Sequence, residues 1–151
     1  MNTRLTRWLF NLYPPYIGAG VRVTHIAPDW RRLRAEMPLS WYNRNYFGTH
    51  FGGSLYAMSD PFLAIMASKN LGSGFVVWDK AAEIEFVAPG RGRVGVEFVL
   101  TDADLELMRS ETASGDKYLP WFGVEVKARD GTLVARVRKQ LYVRRKREDS
   151  R

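Results

Sequence analysis

Residues 52–72 read GGSLYAMSDPFLAIMASKNLG, and this stretch decides the fold. Two glycines open it, Gly72 closes it, and the side chains between them are apolar on nearly every face of a helix. A helix greasy all round belongs in a core rather than on a surface. Asp60 interrupts it as the only formally charged residue across positions 45–68. Burying a lone carboxylate costs several kcal/mol unless it is protonated, hydrogen-bonded or paired, so a chain that places one here has a use for it. Two uses compete. If the helix begins near Ser54, Pro61 lies inside it, removes one backbone bond and kinks it beside the acid. If it begins at Pro61, Asp60 and Pro61 form a favoured N-cap and N1 pair, and the carboxylate only ties off free backbone amides.

Downstream, the chain is β-rich. Phe75 to Trp78 is a short apolar run, Ala82 to Val87 alternates apolar and charged residues, and Pro89-Gly90 makes a turn. Arg93 to Leu100 is a further strand, and Asp102 to Ser114 is helical with Asp102 as its cap. Pro120 to Ala128 and Leu133 to Val143 flank Arg129-Asp130-Gly131-Thr132, whose Asp-Gly pair signals a hairpin. Gly90-Arg91-Gly92-Arg93-Val94-Gly95 matches the G-x-G-x-x-G dinucleotide spacing, but that fingerprint needs a helix opening within it. Here the chain runs on into a strand, so the segment is a turn. Upstream, Gly20 to Ala27 and Arg32 to Leu39 read as strands, and WYNRNYFGTHF at 41–51 reads as a structured loop whose aromatics pack inward.

At the N-terminus, Leu5, Trp8, Leu9 and Leu12 follow i, i+3, i+4, i+7 spacing. They predict a short amphipathic helix docked on the body or on a partner chain. No segment is apolar enough to span a bilayer, so no membrane partner is expected, contact of this helix with a membrane surface being the lesser alternative. One helix without helical partners has to be covered by the sheet. The expectation is therefore an α+β domain over 1–151 in which a curved antiparallel sheet wraps a long central helix. An N-terminal helix and turn at 1–18, a small inserted helix and a basic tail at 144–151 complete it. An open sheet of this kind has edges to pair, which points to self-association.

The formal net charge is +7, of which residues 144–151 supply +3. No helix-turn-helix, zinc-finger or ribonucleoprotein pattern accompanies it, so nucleic acid is not an expected partner. The absence of cysteine excludes disulfides, thiolate catalysis and Cys-based zinc sites, and fits a cytoplasmic setting. No metal or redox cofactor is implied. Gly52 and Gly53 strip side chains from a helix start, where backbone N–H groups and the helix dipole favour an oxygen gaining negative charge. Asp60, two turns on, can activate a water or attack a carbonyl carbon, with Asn45 or His50 orienting the water or bonding the carbonyl. Arg44, Arg91 and Arg93 are candidates to meet phosphates, and Arg138 and Lys139 to face an anionic tail. Asp79, Lys80, Glu83 and Glu85 read as strand-edge charges.

The segment Asn45 to Gly53 followed by Asp60 resembles the hotdog-fold acyl-CoA thioesterases, especially their phenylacetate-pathway branch. The whole chain resembles a bacterial domain-of-unknown-function family grouped with them, through NRNYFGTHFGGSLYAMSDP, VWDK at 77–80, FVAPG at 86–90 and LYVRRK at 141–146. The resemblance implies a hydrolase of an acyl-CoA or acyl-carrier thioester, coenzyme A entering only as part of the substrate. It further implies sites at the interface of a homodimer, or of a homotetramer built as a dimer of dimers. Counted back from Gly53, the family's Asn falls on Asn45 and its acid on Asp60, while its histidine position is held by Phe51, with His50 one residue earlier. The implied set is Asp60, Asn45 and His50 for catalysis and Gly52, Gly53, Phe51 and Arg91 for substrate. Phe51 in the histidine position also supports an alternative, a non-catalytic hotdog module that binds an acyl chain or acyl carrier.

Overall fold

The apolar stretch at 52–72 becomes the centre of the molecule, but as two helices rather than one. The computed structural model describes residues 2–146. Helices α1 (Thr3–Asn11) and α2 (Pro14–Ala19) lead into strands β1 (Arg22–Ile26) and β2 (Arg32–Pro38). The central helices α3 (Gly52–Ser59) and α4 (Phe62–Leu71) follow, then β3 (Phe75–Phe86) and β4 (Arg93–Val99). The chain ends with α5 (Asp102–Glu111), β5 (Lys117–Tyr118), β6 (Trp121–Ala128) and β7 (Leu133–Arg145). The break between α3 and α4 falls at Asp60–Pro61, because proline cannot donate the backbone bond that would continue the first helix.

The strands form one antiparallel sheet in the order β1-β2-β4-β6-β7-β3, with β5 on β7. Period-two alternation sorts its faces. Leu33, Ala35 and Met37, Val94, Val96 and Phe98, and Val137, Leu141 and Val143 point inward and are buried. The outer face carries cross-strand ion pairs instead: Arg34 with Glu97, Arg93 with Glu36, Arg136 with Glu85 and Arg138 with Glu83. The inward face closes over α3 and α4, whose Leu55, Met58, Phe62, Leu63 and Met66 join the same core. Phe62 is the hub, with its ring 5.3 Å from Phe98, 5.6 Å from Tyr16 and 5.7 Å from Phe10 between centroids. This is the α+β arrangement of a curved antiparallel sheet around a central helical segment.

Several local expectations change. Phe75–Trp78 and Ala82–Val87 are not separate strands. They lie on one strand, β3, which is irregular only between Asp79 and Ala81 where it pairs with β7. The inserted helix is capped by Thr101, not Asp102: Thr101 and Asp104 form a capping box. The aromatics of the 41–51 loop do not pack inward, Tyr46 being 98% exposed and Trp41 83%. The stripe Leu5, Trp8, Leu9 and Leu12 is not docked on the body either, since α1 rests through Thr6 and Phe10 and turns the stripe outward. The Gly90–Gly95 segment is a turn running into β4, as expected. Arg144 and Arg145 still belong to β7, and the rest of the basic tail from 147 lies outside the described residues. Among the described residues, no helix is long and apolar enough to cross a membrane.

Phe62→Ala should leave a cavity among three aromatic neighbours and lower stability by about 3–5 kcal/mol. Urea unfolding reads this as a lower midpoint with unchanged slope. A loss below about 1 kcal/mol would contradict the packing described.

Candidate active site

Pro61 ends α3, and Asp60 is left at the helix boundary in extended backbone conformation. Its carboxylate does not cap α4, which has no side-chain cap. It lies 2.5 Å from Nζ of Lys139 instead, so the capping alternative fails. Lys139 is on β7 at a core-facing phase, only 1% exposed, between Leu141 and Val137 on the same face. A second carboxylate, Asp79 on β3, is 3.3 Å from the same ammonium, and the Tyr56 hydroxyl is 3.4 Å away. Tyr16 on α2 donates its hydroxyl proton to the Asp60 carbonyl at 2.5 Å. Four elements thus converge on one acid.

The electrostatics of the cluster are uneven. Burial by itself would push the Lys139 pKa down, but the hydrogen bond to Asp60 and the charges of Asp79 and Asp60 outweigh it and hold the ammonium charged. Burial pushes the Asp79 carboxyl up, Lys139 opposes, and the neighbouring Asp60 adds to the rise. Burial and the Asp60 charge push Tyr16 well above its ordinary range, so it stays a donor. Two carboxylates on one ammonium leave the cluster with excess negative charge. Asp60 keeps 42% of its side chain exposed, so the group is also partly open to solvent.

The loop before α3 builds a different place. Asn45 closes it: its amide donates to Thr49 Oγ1 at 3.0 Å and to the His50 carbonyl at 3.2 Å, and its oxygen accepts from the N–H groups of Phe47 and Thr49. That uses the whole amide. His50 is buried, with Nε2 2.8 Å from the Gly92 carbonyl oxygen. A carbonyl only accepts, so Nε2 carries the proton. Burial pushes the ring pKa down and keeps it neutral, leaving Nδ1 as a buried acceptor without a partner. His50 in this form can accept a proton but cannot donate one to a carbonyl from Nδ1.

Phe51 has no side-chain bond to the start of α3, so the first N–H groups, those of Gly52 and Gly53, meet no cap. A Cβ would lie 2.8 Å from the exposed Phe86 ring at Gly52 and 2.5 Å from the exposed Phe51 ring at Gly53, so a side chain at either position would displace a ring from the helix start. A cleft of about 490 Å³ opens here, lined by Asn45, His50, Gly52, Phe86 and Arg91 among others. Larger hollows of about 720 and 650 Å³ lie on the outer sheet face among paired charges. None of the three is lined by Asp60, Asp79 or Lys139.

The expected residues therefore fall into two groups. Asn45, His50, Gly52 and Arg91 share the cleft, Phe51 and Gly53 do not line it, and Asp60 sits at the other end of α3. Lys139, Asp79, Tyr56 and Tyr16 join Asp60 and were not in the expected set. Asp79 is no strand-edge charge, since it turns toward the ammonium. Lys139 had a readable signal: in Leu133-Val-Ala-Arg-Val-Arg-Lys139-Gln-Leu141, alternation puts it in phase with Val137 and Leu141, opposite Arg136 and Arg138.

A curved antiparallel sheet around a central helical segment defines a hotdog fold. The chain belongs to the family described as domain of unknown function DUF4442, which matches residues 2–143. A probable thioesterase from Pseudomonas aeruginosa superposes with a TM-score of 0.84 at 20% identity, covering 97% of each chain. A thioesterase from Haemophilus influenzae gives 0.70 at 15% identity, over 100% of this chain and 96% of the other. A mutant of the phenylacetic acid degradation protein PaaI from Thermus thermophilus gives 0.59 at 22%, over 85% and 97%. No curated protein matches the chain in sequence.

Lys139→Met should strand two neighbouring carboxylates and cost about 3 kcal/mol, the low end for a broken buried pair because Asp60 is partly solvated. In the Asp60→Asn/Asp79→Asn background the same change should cost far less, and equal losses in both backgrounds would deny the cluster. A second expectation concerns pH. The folded His50 pKa lies below its ordinary 6.5, so the unfolded chain binds more protons as pH falls through that value. Stability is then present above 6.5 and declines below it, and His50→Gln should flatten the decline in urea midpoints between about pH 5 and 6.5.

Proposed function

We propose that this chain hydrolyses an acyl thioester, with Asp60 as general base or nucleophile and the N-terminus of α3 as the carbonyl pocket. The observation that carries the reading is the state of Asp60: it is held by a buried ammonium, needed by no backbone amide, and still open to solvent. Hotdog relatives described as thioesterases add to it. The two halves of the chemistry lie at opposite ends of an eight-residue helix, about 12 Å apart at 1.5 Å per residue. One thioester carbonyl cannot touch both ends of the same α3. The reading therefore requires two copies, the helix start of one facing the Asp60 of the other. β3 is a sheet edge of twelve residues, bearing exposed Trp78 and Phe86, and its free side offers the junction.

In this reading the carbonyl oxygen accepts from the Gly52 and Gly53 N–H groups, which stabilise the negative charge it gains. Asp60 takes a proton from water as the water oxygen bonds to the carbonyl carbon. The C–S bond then breaks, the thiolate is reprotonated, and a carboxylic acid and a thiol leave. Lys139 positions Asp60 and does not touch the substrate. Nδ1 of His50 can accept from a water or substrate hydroxyl, Phe51 offers an apolar wall, and exposed Arg91 can meet phosphates of a coenzyme A carrier. No metal or redox cofactor enters, and a cytoplasmic setting suits such a substrate. The second reading, a module that binds an acyl group or acyl carrier without turnover, is favoured by one observation: Asp60 lines none of the three hollows described above.

Thiol release from acyl-CoA esters of graded chain length separates the two. Asp60→Asn, checked for folding by circular dichroism, should lower the rate by about 10²–10⁴, the range for a lost general base. Equal rates in wild type and variant would remove Asp60 from the chemistry. Saturable binding with no thiol released would establish the module.

A further inference from the structure

The opening helices present an apolar surface that the proposed chemistry does not use. Leu5, Trp8, Leu9 and Leu12 on α1, Tyr13 after it and Ile17 on α2 are each between 48% and 58% exposed. Scattered apolar side chains on a surface need no account, but six large ones joined along two consecutive helices form a patch that marks a contact. The patch is rigidly mounted. Asn11 exchanges two hydrogen bonds with the Val23 backbone, at 3.1 and 2.8 Å, and Arg7 donates to the Thr24 carbonyl at 3.0 Å. On the opposite side, Phe10 packs its edge on Phe62. The stripe therefore cannot fold back on the body.

Charge selects the occupant. From residue 2 to residue 28 the chain holds Arg4, Arg7 and Arg22 and no carboxylate, and all three arginines are exposed. A short amphipathic helix with Trp and Leu on one side and arginine beside it suits the boundary layer of a bilayer bearing negative headgroups. A two-fold contact between two copies of the stripe would bring like charges together, with nothing on it to offset them. The stripe also flanks β1, at the far end of the sheet from the free β3 edge, so pairing along β3 would leave it uncovered.

We propose that α1 and α2 dock this protein on the surface of an anionic membrane, Leu5, Trp8, Leu9, Leu12, Tyr13 and Ile17 entering the headgroup boundary and Arg4 and Arg7 meeting lipid phosphates. Docking of the stripe on the body is the leading expectation from the sequence and membrane-surface contact the lesser alternative; the exposure of the stripe favours the second. The proposal is independent of the hydrolytic reading.

Flotation of the full chain with phosphatidylcholine vesicles, with and without phosphatidylglycerol, tests it. The expected result is co-flotation with the anionic vesicles, weaker with the neutral ones and reduced by added salt. Trp8→Ser/Leu12→Ser should cut the bound fraction about tenfold, and Arg4→Ala/Arg7→Ala should remove the preference for anionic lipid. All four side chains are exposed and α1 keeps its Asn11 and Phe10 contacts when the Arg7 bond to Thr24 is lost, so circular dichroism should not change. Absence of flotation, or flotation indifferent to both variants, overturns the proposal. So does a drop in mass by analytical ultracentrifugation in Trp8→Ser/Leu12→Ser without loss of vesicle binding, which would make the stripe a contact between copies.

Discussion

Among the described residues, Lys139 is the one formally charged side chain that is fully buried, and the arrangement around its ammonium is set by the need to compensate it. An ion of that kind is tolerable only if its donors find acceptors in the interior. Asp60 at the α3–α4 junction and the Tyr56 hydroxyl accept from it, Asp79 on β3 adds a charge 3.3 Å away, and β7 supplies the lysine. The ion cluster therefore fixes where the broken central helix lies along the sheet. Tyr16 adds α2 to the same point through the Asp60 carbonyl. Apolar packing around Phe62 holds the layers together, but it does not specify this register by itself.

The helix break has a consequence for chemistry. Pro61, two residues beyond Ser59, stops α3, and this leaves Asp60 at a corner instead of along a continuous helix. The same α3 begins at two glycines that no side chain caps. Donors for an oxygen and an acid for a proton are thus built on one short rigid element, too far apart to act on the same atom. A second copy related by two-fold symmetry would bring the start of one α3 toward the end of the other, which is why the proposed reaction and the proposed pairing stand or fall together.

Much of the fold was legible because period-two alternation and turn residues are local signals. β2, β4, β6 and β7 were read close to their observed bounds, and the Asp130-Gly131 hairpin turn is closed by Asp130 accepting from Thr132. The site was less legible because its partners are distant in sequence: Asp60 and Lys139 are 79 residues apart. Lys139 shows the difference between a signal present and a signal used. Its phase on β7 placed it in the core, but beside Arg138 it reads as a cation facing an anionic tail. Asn45 and His50 were legible as residue types at a suggestive spacing, yet their hydrogen bonds depend on how the 41–51 loop closes. The exposed faces were misread for a related reason. An apolar stripe predicts burial against something, and the sequence does not say whether that something is the same chain.

The cluster also bears on the choice between a catalyst and a scaffold. A buried ion pair is a poor stability device, since apolar side chains of similar volume commonly do as well or better. Here a third charge of negative sign is added, and burial already pushes the Asp79 carboxyl up, against ionisation. A fold needing only cohesion at this point has Leu141, Val137 and Met58 nearby as the pattern to extend. What the ions supply that a leucine cannot is a carboxylate, Asp60, kept in one orientation at the surface of an apolar core by a donor that solvent does not reach. Preorganised polarity of this kind is what an acyl-transfer site requires. On physical grounds alone the cluster is better understood as an arrangement for Asp60 than as a fastening between β3 and β7.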